Sequence, residues 1–431
     1  MSLLFIHARI LTMEQGTEIL ENAMLAVEGD RIVYVGPEDA TWMNKKWDRV
    51  LDMGGKLIMP GLINTHTHLS MAVLRGCGSD LPLMTWLDEA IYPREDRFTD
   101  EDYTAGAMAA AAEMIRSGTT CCLDMYMGQD KVAKVMNDVG MRAVLMRSLA
   151  ADDMETLRWK LQENIDLYDA WNGAGNGRIR VWFSAHAVYT VNPETAACVA
   201  RAAWDRHTGV SVHLSESRSE VEGCMARYGI TPAAFMEKSG IFDGLCVAAH
   251  CVHLTEADED ILLRRHVAVS HNPCSNMKLA SGCAPVDRYL KRGLTVALGT
   301  DSVSSNNRLD MFREMYTAGI IHKGFSDDPT AVNAEQVLHM ATVDGARALG
   351  MEKEIGSLKV GKKADLIALN LEEPAYHPLA HLASHLVYSA NSADVALTMV
   401  DGKILMENRQ MKTLDMAETM RRLELCAQRI R

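Results

Sequence analysis

Eight short apolar segments alternate with helix-forming stretches through the middle of this 431-residue chain, and that alternation constrains the fold more than any other feature. In order they are KLIMPGLINTH, TTCCLDMY, RAVLMRSL, RIRVWFSAHA, GVSVHLSE, LCVAAHC, HVAVSHNP and LTVALGTD. One intervening helix is well marked, opening at Thr99-Asp-Glu-Asp and stopping at Ser117-Gly118. Eight strands, each followed by a helix over about 290 residues, is the count of a (β/α)8 barrel. A doubly wound open sheet would want a Gly-rich phosphate turn after its first strand, and LINTHTHLS is not one. The chain ends read differently. LLFIHARILTM and AMLAVEGDRIVYVG alternate with period two around a turn at Gly29-Asp30, and GKKADLIALNL and VALTMVDGKILMENRQ repeat that style. The expectation is an α/β protein in which 1–57 and 358–431 form one small composite β-sandwich domain beside a barrel at 58–357.

Polar residues gather at the C-terminal ends of these strands, where barrels of this kind carry their active face. Strand one ends in His66 and His68, strand four in His186, and strand five in His213, with Glu216 just beyond. Strand six ends in His250, strand seven in His271 and strand eight in Asp301. Residues two apart in a strand point to the same side, so His66 and His68 can face one ion. Three imidazoles and a carboxylate, His66, His68, His213 and Asp301, suit one catalytic divalent ion per chain. Zn²⁺ is the first expectation, and Fe²⁺ and Mn²⁺ fit the same ligand types. No lysine ends strand four to bridge a second metal.

Proton handling then falls to Glu216, beside the substrate ring and the attacking water, and to Asp301 as a proton acceptor. His250 is placed to hydrogen-bond the nucleophile or the developing oxyanion. Other polar residues have plainer readings. His271 fixes its loop, His253 lies on the loop surface, and Asp124 is a buried hydrogen-bond acceptor. His377, His381 and His385 sit at helical spacing beyond the barrel and read as a helix surface.

Composition excludes several classes. Hydrophobic residues make up 48%, enough for a core and against disorder. A net charge of −13 opposes the counterion release that drives general nucleic-acid binding. No run approaches the roughly 20 apolar residues of a spanning helix. The ten cysteines include no C-x-x-C pair and read as small buried hydrophobes. With a start, MSLLFIHARI, that carries no basic leader, they point to the cytoplasm. Methionine is frequent at 28 residues and reads as interchange with Leu in the core.

PGLINTHTHLSMAVLRG, HLSE, AAHCVHL, VSHNPCSNMKLASGCAPV and LGTDSVSSNNRLDMFREM together resemble the amidohydrolase superfamily, in its ATZ/TRZ branch. Within that branch the chain is most similar to the 5-methylthioadenosine/S-adenosylhomocysteine deaminases. The resemblance implies the same metal set, Glu216 as proton shuttle and His250 as the residue that orients the water. It further implies that Glu95 binds ribose hydroxyls, that His186 contacts substrate, and that Trp86 lies beside the purine. Arg147 matches an arginine that clamps an amino-acid carboxylate. A second such arginine falls here at Lys160, with Arg158 two residues earlier. Val188, Leu69-Ser70 and Ser302 also depart from the family pattern, all in the substrate wall.

The expected activity is hydrolytic deamination of an adenine nucleoside to the inosine analogue and ammonia. Deamination or dechlorination of a free nucleobase, pterin or triazine is the alternative, and a catalytically silent binding barrel is a lower one. A small-molecule nucleoside is the expected partner, with no nucleic acid and no membrane, and relatives of this kind are often homo-oligomers.

Overall fold

The structure is a computed structural model that describes residues 1–81 and 83–431. Eight parallel strands form the barrel: Leu62–Thr67, Thr119–Tyr126, Arg142–Arg147, a fourth in two pieces, Val210–Leu214, Cys246–His250, Ala268–His271 and Val296–Leu298. The fourth strand is broken into Ile179–Val181 and Phe183–Ser184, so the wall divides into a four-stranded and a five-stranded ladder. One backbone bond and two made by side chains close the seam between the first and eighth strands. Asp301 N donates to His66 O at 2.9 Å, Asn64 Nδ2 to Thr300 Oγ1 at 2.8 Å, and Thr65 Oγ1 to Leu298 O at 2.9 Å.

Alternate strand residues face opposite ways. Cys121, Leu123, Met125, Val144 and Met146 pack together in one core, while Cys122, Ala143 and Leu145 join another with the surrounding helices. The Ala-rich helix runs Asp100–Arg116, opened by a reciprocal Thr99/Asp102 capping box. All ten cysteines are free thiols and seven are buried. Among the described residues no helix is long and apolar enough to cross a membrane.

The KLIMPGLINTH run, expected as one barrel strand, is two. Lys56–Pro60 joins an outer sheet and Leu62–Thr67 starts the barrel. Gly61 makes the switch possible, because a Cβ there would sit 2.1 Å from Thr120 Oγ1. The outer sheet has nine strands drawn from both chain ends. Its order is Gln410–Met411, Lys403–Glu407, Val395–Val400, Leu366–Asn370, Lys56–Pro60, Ser2–Leu11, Ile19–Glu28 and Arg31–Pro37, with Arg49–Asp52 also paired to Ser2–Leu11. One apolar cluster draws on both halves, including Phe5, Leu25, Leu366 and Met399.

His377, His381 and His385 do not share a helix. His377 precedes a Pro, His381 ends a 3₁₀ turn, and only His385 lies in the helix Leu382–Tyr388, with Nε2 2.9 Å from Pro378 O.

Candidate active site

The polar strand ends converge at one mouth of the barrel. His66, His68 and His213 come together so that one nitrogen of each lies within 4.8 Å of the others, an arrangement that could hold a metal ion. His68 Nε2 is 3.2 Å and His66 Nε2 3.7 Å from Asp301 Oδ1. His66 is fully buried, and neither of its ring nitrogens has a hydrogen-bond partner. A native interior rarely leaves such atoms unpaired, so the donor set fits a cation.

Electrostatics agree with that fit. Burial, reinforced by neighbouring histidines, holds His66 and His213 well below the usual imidazole range, so both are neutral and able to ligate. Burial opposes ionisation of Asp301, yet the His68 hydrogen bond and the surrounding imidazoles hold its carboxyl well below the usual range. Its Oδ2 accepts from Ser275 Oγ at 2.5 Å and Ser305 Oγ at 2.9 Å. The outer nitrogens of two histidines are also fixed. His68 Nδ1 lies 2.5 Å from Met125 O, and His213 Nδ1 lies 2.9 Å from His186 O. Asp301 and His250 have φ of 60° and 71°, left-handed values that non-glycine residues adopt only when held there.

Glu216 and His250 complete the group. Glu216 Oε2 is 3.7 Å from His250 Nε2, and Oε1 accepts from Ser281 Oγ at 3.2 Å. Burial pushes the Glu216 carboxyl up, against the pull of His250. His250 Nδ1 lies 2.8 Å from Asn276 Oδ1 and 3.4 Å from Asn272 Nδ2, and these two amides hold the ring with Nε2 on the side of Glu216. Glu220, pushed up to about 7 by burial, accepts from the backbone N–H groups of Ser215 and Glu216 at 2.8 Å each.

A cavity of about 330 Å³ opens beside this group. His68, His186, His213, Glu216, His250 and Asp301 line it, together with Trp86, Glu95, Arg147 and Lys160. Trp86 and Glu95 arrive on a helical segment, Leu83–Thr85, Trp86–Ile91 and Tyr92–Glu95, whose middle part has π-helical bonding of the kind found near functional sites. Trp86 Nε1 donates to Cys77 O at 3.2 Å. Glu95 accepts a hydrogen bond from Tyr126 Oη, and burial raises its carboxyl despite that bond. His186, driven down to about 3 by burial, has Nδ1 3.0 Å from Thr190 Oγ1. Arg158 is exposed and does not line the cavity, whereas Lys160 does.

Asp124, as expected, is a buried acceptor, taking bonds from Leu69 N at 2.6 Å and Gln129 Nε2 at 2.6 Å. His271 is buried against His322, Nε2 to Nε2 3.1 Å, away from the cavity lining. His253 differs from its reading as a surface residue. It is half-buried, and its Nε2 lies 2.8 Å from Ser281 O, steadying the loop whose serine reaches Glu216. Tyr126, the last residue of TTCCLDMY and two beyond Asp124, also lines the cavity. Asn276, in the short helix Pro273–Lys278, and Ser281, just beyond it, lie in the VSHNPCSNMKLASGCAPV segment, but nothing local to either residue shows which side chain it meets.

The amidohydrolase family profile matches residues 57–405. A 5-methylthioadenosine/S-adenosylhomocysteine deaminase of Desulfitobacterium hafniense is 44% identical over 424 residues, covering 98% of each chain. Among solved structures, an adenosine deaminase from Xanthomonas campestris with bound zinc superimposes with a TM-score of 0.94 at 34% identity, covering 99% of this chain and 98% of its own. An atrazine chlorohydrolase from Arthrobacter aurescens, TM-score 0.91 at 23% identity, covering 99% of this chain and all of its own, shares the fold. With the family profile spanning the barrel and a relative matched almost end to end, this chain belongs to the amidohydrolase family.

Proposed function

We propose that the protein is a metal-dependent deaminase that hydrolyses the 6-amino group of an adenine nucleoside, releasing ammonia and the inosine analogue. Near-complete coverage of deaminase relatives supports the reaction class. The observation that carries the nucleoside reading is the shared cavity, in which Glu95, Arg147 and Lys160 stand with Glu216, His250 and Asp301. Zn²⁺ is the proposed ion, held by His66, His68, His213 and Asp301. When bound, such an ion supplies Lewis acidity that lowers the pKa of water towards about 7.

The chain's own residues manage the protons. Glu216, with its carboxyl raised by burial, takes one proton from the attacking water and gives it to the ring nitrogen beside the reacting carbon. His250 Nε2 accepts a hydrogen bond from the attacking water and so orients it. Asp301 takes the remaining proton, which leaves with the amine. Trp86 and His186 flank the purine, Glu95 receives the ribose hydroxyls, and Arg147 with Lys160 receives a carboxylate where the substrate carries one. In the same reading, 1–57 with 358–431 form one unit and 58–357 the catalytic one.

The test is the adenine-to-hypoxanthine absorbance change with 5′-methylthioadenosine, S-adenosylhomocysteine and adenosine. Turnover of at least one is expected, and absence of turnover with all three rejects the reading. Glu95→Ala separates nucleoside from free-base chemistry. A ribose-binding carboxylate predicts a loss of kcat/KM on the order of 10- to 100-fold. A change below about twofold excludes that role.

A further inference from the structure

Arg147 and Lys160 line one side of the cavity and cluster there with Glu163 and Trp159, which do not line it, in a group that the deamination step does not use. Arg147 ends the third barrel strand, and Lys160 and Glu163 lie one turn apart on the helix Met154–Trp171. Asn164 fixes the helix against the strand, accepting from Arg147 N at 2.6 Å and donating to Trp182 O at 2.9 Å. Arg147 Nε donates to Glu163 Oε2 at 2.7 Å and Nη1 to Ser148 O at 2.8 Å. Lys160 Nζ donates to Ala150 O at 2.6 Å. The Trp159 ring lies 5.6 Å from Arg147 Cζ and 5.3 Å from Lys160 Nζ.

Among the described residues, this leaves Arg147 Nη2, two protons of Lys160 and Glu163 Oε1 without partners in the protein. Glu163 is 53% exposed, so holding Arg147 is a weak reason for its presence. A carboxylate beside a carboxylate-binding arginine also repels an anionic ligand. That conflict disappears for a ligand carrying both charges. Its carboxylate can meet Arg147 Nη2 and Lys160 while its ammonium meets Glu163 Oε1.

We propose that Glu163 is the ammonium-binding member of a subsite for a zwitterionic amino-acid tail on the nucleoside. The pocket thereby favours nucleosides with an intact α-amino acid over those with a carboxylate alone. This rests on the deaminase reading above.

The test compares wild type and Glu163→Gln on S-adenosylhomocysteine and on its analogue lacking the α-amino group, each expressed relative to 5′-methylthioadenosine. The common reference cancels any general defect in folding or chemistry. Loss of one charge-assisted contact predicts a fall of about 5- to 10-fold in the preference for S-adenosylhomocysteine over the des-amino analogue. The des-amino analogue itself improves, because a repelling charge is gone. An unchanged preference overturns the proposal, as does a parallel loss for both tailed nucleosides, the signature of a residue that only steadies Arg147. Wild-type enzyme that accepts methylthioadenosine but neither tailed nucleoside overturns the subsite and leaves the deaminase reading standing. Inactivity towards all three and towards adenosine as well overturns both.

Discussion

At the end of the barrel where the strands begin, Arg142 is 1% exposed and donates to Asp365 at 2.7 and 3.0 Å and to Asp401 at 3.3 Å. Lys363 pairs with Asp401 at 3.0 Å and also with Asp30, and Asp401 N donates to Asp365 Oδ1 at 2.8 Å. At the end where the strands finish, His66 is equally buried, with both ring nitrogens unpartnered. The first cluster satisfies itself. It ties the third barrel strand to the outer sheet through Arg142 and Asp365. The second keeps its donors open. Burial of charge therefore does not separate these two clusters; the unpaired imidazole of the second does. A wide cleft of about 930 Å³ lies at the satisfied end, and Asp30 and Lys363, which pair with each other, both line it.

Substitutions at the two ends should fail in opposite ways. The largest effect is expected from His213→Ala, which removes one of the three converging imidazoles. Activity should fall on the order of 10³-fold or more, with loss of bound metal measured by elemental analysis. Retention of a tenth of the activity would refute its place in the site. Arg142→Met leaves two buried carboxylates short of a cation and is expected to cost about 3–5 kcal/mol in urea unfolding. Below the transition, kcat/KM should stay within about threefold, because the two ends share no partners. A large activity loss without destabilisation would erase the distinction.

A smaller effect contrasts carboxylates with and without a cation. Glu314 accepts only from neutral donors, Cys274 N at 3.1 Å and Asn306 Nδ2 at 2.6 Å, and burial pushes its carboxyl up to about 7. Its folded pKa lies above the ordinary 4.5, so the native state binds the proton more tightly. Stability from this group is full below about pH 4.5 and is lost as pH rises towards 7 and beyond. Glu314→Gln should flatten that decline by about 2 kcal/mol between pH 5 and 8, measured by chemical unfolding. An unchanged slope would mean that Glu314 is ionised in the folded protein. The smallest effect is ionic. Raising salt from about 0.05 to 0.5 M should lower kcat/KM for S-adenosylhomocysteine two- to fivefold relative to methylthioadenosine. Equal salt dependence would argue against Arg147 and Lys160 meeting a carboxylate.

The barrel mouth was legible because strand periodicity and the direction of a parallel barrel both act locally. Each histidine could be assigned to a strand end from its own segment. Lys160 over Arg158 was legible too, in principle. Lys160 lies three residues after buried Leu157 and four before buried Asn164, on the inward helix face, and Arg158 does not. What escaped depends on contacts between distant segments. The split at Gly61 is dictated by Thr120 on the neighbouring strand. Asn276, in the helix Pro273–Lys278, and Ser281, beyond it, reach His250 and Glu216 from 26 and 65 residues away. The unlike roles of the two buried charge clusters depend on which groups find partners, and no single segment carries that information.

The strand Lys56–Pro60 has a consequence for how the protein is made. It lies between Ser2–Leu11, which it pairs with through Arg9 and Ile10, and Leu366–Asn370. While the barrel is being synthesised, the N-terminal half of the outer sheet therefore waits with one edge of this strand bare. More than three hundred residues separate that edge from its partner strand, so the sheet closes only after nearly the whole chain has left the ribosome. The active site's scaffold can form first, and the last strands to emerge seal the sheet beside it.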